Sequence, residues 1–64
     1  MRIDRIKLIS ELARQNITQL ELAKRCKYSR STINGICNGK SCSERTAEAI
    51  AGALNITVDD LMEV

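Results

Sequence analysis

Arg30, Ser31 and Asn34 are the residues whose types and spacing offer the most specific chemistry in this chain. On a helix they share a face with Gly35, while Ile33 and Ile36 turn the other way. A guanidinium bonds two acceptors on guanine, a carboxamide pairs donor and acceptor with adenine, and a hydroxyl bonds a base or a phosphate. That is recognition by hydrogen bonding. Covalent catalysis has no comparable set, because the chain contains no histidine and no paired carboxylates in a glycine-rich cradle, so no enzyme is expected. Cys26, Cys37 and Cys42 are odd in number, lack C-x-x-C spacing and have no histidine to complete a zinc set. No metal, cofactor or disulfide framework is expected from them. Cys26 ends an apolar pattern and reads as a small core residue, and the other two read as ordinary thiols.

Those side chains need elements to hold them. Ile6, Leu8, Ile9, Leu12 and Ala13 recur at helical spacing and predict an amphipathic helix over 3–15, stopped by Asn16 in a left-handed conformation. Thr18-Gln19-Leu20-Glu21 is a capping box that opens a short second helix over 18–26, with Leu20 and Ala23, and with them Leu22 and Cys26, as its buried side. Lys27-Tyr28 separates this helix from Ser29, the expected N-cap of a third helix that carries Ile33 and Ile36 and ends at Asn38-Gly39. Ser41 and Ser43 both offer caps for a fourth helix bearing Ala47, Ile50, Ala51 and Leu54, closed by Asn55. Thr57-Val58-Asp59-Asp60 then caps a last turn or two, on which Leu61 and Met62 fold back as a lid over the core. The expected architecture is all-α, a compact five-helix bundle in which residues 1–64 form one domain. The connection between the second and third helices is about three residues long, and helices joined so briefly cross steeply, with Ala23 small enough to sit where they touch.

The totals agree with a single small domain. Sixty-four residues bury only about 60% of the unfolded surface. One aromatic, Tyr28, and no proline argue against an all-β module. No apolar run is long enough to span a membrane, and the charged N-terminus has no leader-like stretch behind it, so a cytoplasmic location is expected, with no membrane and no small-molecule ligand evident. The net charge of +2 is unevenly spread. Residues 24–45 hold Lys24, Arg25, Lys27, Arg30, Lys40 and Arg45 against Glu44, whereas 46–64 hold Glu48, Asp59, Asp60 and Glu63 and no base. One segment suits a polyanion and the other is turned away from it.

In Thr18-Gln19-Leu20-Glu21-Leu22-Ala23, in Ser31-Thr32-Ile33-Asn34, in Asn38-Gly39-Lys40 and in Ala49-Ile50-Ala51-Gly52-Ala53-Leu54-Asn55-Ile56 followed by Val58-Asp59-Asp60-Leu61, the chain resembles the Cro and phage-repressor helix-turn-helix domains, also called XRE-like regulators. The likeness runs from about Ile6 to Met62. It implies that Gln19 anchors a backbone phosphate and braces the third helix. It places Arg30 and Ser31 where base-reading side chains sit, with Asn34 and Gly35 one turn later. It also places Asn38, Lys40 and Arg45 around a phosphate-gripping loop, with Arg45 near the minor groove. Ser29 and Tyr28, at the start of the third helix, join the backbone-contacting set, the tyrosine through its hydroxyl. The chain departs from the family at Lys27, where glycine is usual. Either a lysine there accepts a left-handed conformation at about 1 kcal/mol, compensated by touching phosphate, or the turn differs locally. Gly35 costs about 1 kcal/mol inside a helix; it either lets the backbone approach DNA or marks a helix that reads little sequence beyond its first turn.

These features imply a sequence-specific regulator, a repressor, that occupies a double-stranded operator as a homodimer. The surface around the fifth helix is expected to join the two copies. The alternative is an interaction module of antirepressor or antitoxin type that keeps the fold without specific DNA binding.

Overall fold

Each helix begins on a side chain that caps it and is followed, within two residues of its last, by one in the left-handed region. A computed structural model of the chain describes residues 2–62, so Glu63, counted above with the acidic end, lies outside the described residues. Four helices follow one another: α1 Arg5–Gln15, α2 Gln19–Cys26, α3 Arg30–Cys37 and α4 Glu44–Ala53. The side chains of Asp4, Thr18, Ser29 and Ser43 accept first-turn amides of these helices. Between the two serines open to the fourth helix, Ser43 is therefore the cap. At the other ends Asn16, Lys27, Gly39 and Asn55 have φ of 57, 63, 97 and 58°. In each case the amide of the next residue returns to a carbonyl in the last helical turn: Ile17 to Leu12, Tyr28 to Ala23, Lys40 to Gly35 and Ile56 to Ala51. This arrangement satisfies the orphan carbonyls and turns the chain sharply. The predicted terminators all fall here, and of the two possibilities open at Lys27 the structure shows the left-handed one.

Two expectations about the ends need correction. The first helix begins at Arg5, not at residue 3, because the Asp4 carboxylate caps it at the amides of Ile6 (2.9 Å) and Lys7 (3.3 Å). Ile3 instead forms an antiparallel bridge with Met62. The predicted fifth helix is a single 3-10 turn, Val58–Asp60, in which the Thr57 amide donates to the Asp60 carboxylate at 3.1 Å. The chain cannot wind further, since Leu61 must enter the core while Met62 pairs with Ile3.

The core is Leu8 and Leu12 from α1, Leu22 and Ala23 from α2, Ile33, Ile36 and Cys37 from α3, and Ala47, Ile50, Ala51 and Leu54 around α4, closed by Ile3 and Leu61. Among the described residues none that is polar or charged is buried. The lid is half as predicted: Leu61 is fully buried and Met62 partly so. The apolar stripes are narrower than their periodicity suggests. Ile6, Ile9 and Ala13 of α1 and Leu20 of α2 face solvent. α2 packs against α3 and α4, while α1 packs against α3.

Candidate nucleic-acid interface

Three residues, Lys27, Tyr28 and Ser29, join α2 to α3. The left-handed turn at Lys27 swings the chain round, and the Ser29 hydroxyl restarts helix by accepting the Thr32 amide at 3.1 Å. Its oxygen also lies 2.8 Å from the Thr32 hydroxyl. Tyr28 is half-buried against the core, and its hydroxyl accepts from Thr46 Oγ1 at 3.4 Å, which ties the turn to α4. The ring thus covers the helix junction, and the phenolic hydrogen is left to a further acceptor.

Burial of Ile33 and Ile36 sets the rotation of α3 and leaves Arg30, Ser31 and Asn34 exposed. These three line one open cleft together with Thr18, Gln19 and Leu20 from the start of α2. The cleft brings together Gln19 and three of the four residues assigned to base contact. Gln19 itself makes no hydrogen bond to α3 among the described residues, so any brace it supplies is by position on the cleft wall. Leu20 was missed by sequence reasoning. Expected inside, it stands 46% exposed beside the polar set. Leu22 and Ala23, grouped with it in the sequence, do occupy the inward face.

Gly35 is partly covered, for a reason within the chain. A Cβ there would lie 3.3 Å from Cδ of Lys40. The methylenes of Lys40 run over the glycine, and its amide donates to the Gly35 carbonyl at 3.0 Å. Glycine at this position seats the lysine stem, and closeness is gained first by Lys40. Asn38 caps the C-terminus of α3, and its side chain is exposed, as are those of Lys40 and Arg45.

Charge follows the same division. Arg25 lies 3.5 Å from Glu21, so part of the basic segment is neutralised locally. Lys24, Lys27, Arg30, Lys40 and Arg45 make no ion pair among the described residues, and all are exposed. Glu48, Asp59 and Asp60 are exposed on α4 and the 3-10 turn.

The three thiols are unbonded, and burial pushes each of them up from its ordinary range, which favours the protonated form. Cys37 is buried in the core, deeper than an ordinary surface thiol, and Cys26 reaches toward the Ala49 carbonyl at 3.7 Å. A protonated, buried thiol is a poor nucleophile.

Two short capped helices set across a tight turn, with polar side chains displayed on the second and unpaired cations around both, form a surface suited to a nucleic-acid duplex. The model of the helix-turn-helix family matches residues 5–61. The chain belongs to this family, in its Cro and phage-repressor group. The matched span takes in all four helices and the 3-10 turn, so the helix-turn-helix domain is nearly the whole of the sequence. The family is one of DNA-binding transcription regulators. No curated protein and no solved structure matches the chain. No described helix of the helix-turn-helix domain is long and apolar enough to cross a membrane.

Proposed function

We propose that this helix-turn-helix domain is a sequence-specific repressor that lays α3 in the major groove of a double-stranded operator. The observation that carries this reading is the exposure of Arg30, Ser31 and Asn34 on one wall of a cleft whose other wall is the start of α2. Arg30 addresses guanine, Asn34 addresses adenine, and Ser31 takes a base or phosphate oxygen, with Gly35 completing the base-facing side. Thr18 Oγ1 and the Thr18 carbonyl take the amides of Glu21 and Leu22, which leaves those of Gln19 and Leu20 to a phosphate at the helix N-terminus. Gln19, Lys27, Tyr28 and Ser29 hold the backbone on one side of α3. Asn38, Lys40 and Arg45 hold it on the other, Arg45 toward the minor groove.

One recognition helix reads few base pairs, so useful specificity needs two copies on a palindrome with half-sites about 34 Å apart. The domain measures 26 × 21 × 19 Å between its outer Cα atoms. Set side by side along either of the two shorter axes, two copies fit within that spacing. We take the regulation to be repression, in which a homodimer seated over a promoter excludes polymerase.

Binding to a pool of random duplexes at one stated moderate salt, followed by sequencing of the retained fraction, tests this reading. Salt is fixed because phosphate contacts make affinity depend steeply on it. The native domain enriches a paired motif, and Arg30→Ala relaxes one position in each half-site. A reporter placed behind the enriched site then falls in expression with the native domain and not with Arg30→Ala. Enrichment of nothing, with both proteins binding weakly alike, overturns the reading and points to protein partners instead.

A further inference from the structure

Leu20 makes no hydrogen bond through its side chain and lies outside the core, yet it lines the cleft among Gln19, Arg30, Ser31 and Asn34. Its orientation is fixed by the helix. Leu22 and Ala23 are buried, and a residue two positions before Leu22 points almost the opposite way, so Leu20 has no route inward without unwinding α2. The other large apolar side chains that stand exposed among the described residues, Ile6 and Ile9, are on α1 and line no part of this cleft. Leu20 is therefore the apolar element of a surface that is otherwise built to donate and accept hydrogen bonds.

The edges of base pairs in the major groove carry one apolar group, the 5-methyl of thymine. A phosphate held at the first-turn amides of α2 would set the DNA backbone at the lip of the cleft, and Leu20, in that same turn, then extends past it toward the bases. We infer that Leu20 is a specificity-determining residue that packs against the 5-methyl of a thymine at one position in each half-site, on the α2 side of the bases addressed by α3. This inference rests on the DNA-reading proposal above and adds to it an apolar contact from outside the recognition helix.

Replacing each thymine of the enriched site singly with uracil, which lacks only the methyl, tests it with the native protein, so no question of folding arises. At one thymine in each half-site the native domain loses about fourfold in affinity, the worth of one methyl group. Leu20→Ala, whose thermal melting is followed alongside, binds the thymine and uracil forms of that position equally. If no single replacement weakens the native domain, or if Leu20→Ala shows the same loss, Leu20 does not read thymine while the enriched motif still upholds the DNA-reading proposal. If no motif is enriched at all, that proposal fails and the role of Leu20 fails with it.

Discussion

At the joined ends of the chain, Lys7 sends its ammonium 2.9 Å to the carbonyl of Met62, the Asp4 amide donates to the Leu61 carbonyl at 2.7 Å, and the Asp4 carboxylate caps α1. In the cleft between α2 and α3 the side chains of Arg30, Ser31 and Asn34 hold nothing among the described residues, although the backbone beneath them is capped and packed as firmly as anywhere. Both regions are polar, and both carry cations. In the clasp, polar groups are used up in closing the fold. In the cleft, only the backbone and the inward isoleucines are used up, and the outward side chains keep their hydrogen-bonding capacity for another molecule. Structural and recognition roles should then separate under mutation, clasp variants losing stability and cleft variants losing affinity.

The widest separation comes from pairing Leu61→Ala with Arg30→Ala. Leu61 is fully buried at the clasp, and truncating such a residue costs about 2–5 kcal/mol, a large share of what a small domain has. Urea titration is expected to show that loss, while the folded fraction keeps the native affinity for the enriched site. Arg30→Ala is expected to do the reverse. It lowers specific affinity by about 1–3 kcal/mol, the worth of a good bidentate base contact, with unfolding free energy held within about 0.5 kcal/mol. A melting change in Arg30→Ala of the size expected for Leu61→Ala would mean that the cleft side chains are structural after all.

Asp4→Ala sharpens the clasp side. It removes a cap that serves two amides and is expected to cost about 1 kcal/mol of stability with no effect on the salt dependence of DNA binding. A change in that dependence would join the N-terminal segment to the interface and blur the division.

Legibility in the sequence followed how local each cause is. The caps at Thr18, Ser29 and Ser43 and the left-handed stops at Asn16, Gly39 and Asn55 depend on a few consecutive residues, and the sequence therefore displayed them. The outward display of Arg30, Ser31 and Asn34 was readable because Ile33 and Ile36 leave α3 a single inward face. α2 offered no such clarity. Leu20, Leu22 and Ala23 fit a short helix in more than one rotation, and the choice between Leu20 and Leu22 is made by α3 and α4, which pack against it. α1 buries only Leu8 and Leu12, because its neighbours cover a narrow strip and leave Ile6 69% exposed. The passage of the Lys40 stem over Gly35 was equally out of reach, since it depends on how the chain returns after the α3 terminus. Tertiary packing decides these points, and periodicity alone does not.

Lys27 is the residue at which a structural role and a proposed recognition role coincide, and its substitution has the smallest and most diagnostic effect. Among the described residues it is the only left-handed terminator that is neither glycine nor asparagine, and a Cβ in that conformation costs about 1–2 kcal/mol. Glycine removes that cost but also frees the unfolded chain, so Lys27→Gly is expected to raise stability by somewhat under about 1 kcal/mol. If the ammonium meets a phosphate, the same change removes one counterion-releasing contact. Affinity then falls uniformly across sequences, and the slope of log affinity against log salt becomes shallower by about 0.9. The two signs are opposite, which is why one variant suffices. A more stable protein with a shallower salt slope means that strain is retained at the turn for the sake of the DNA backbone. A more stable protein with an unchanged slope means that Lys27 lies off the duplex, and the phosphate track must then run through Gln19 and the α2 amides alone on that side of α3.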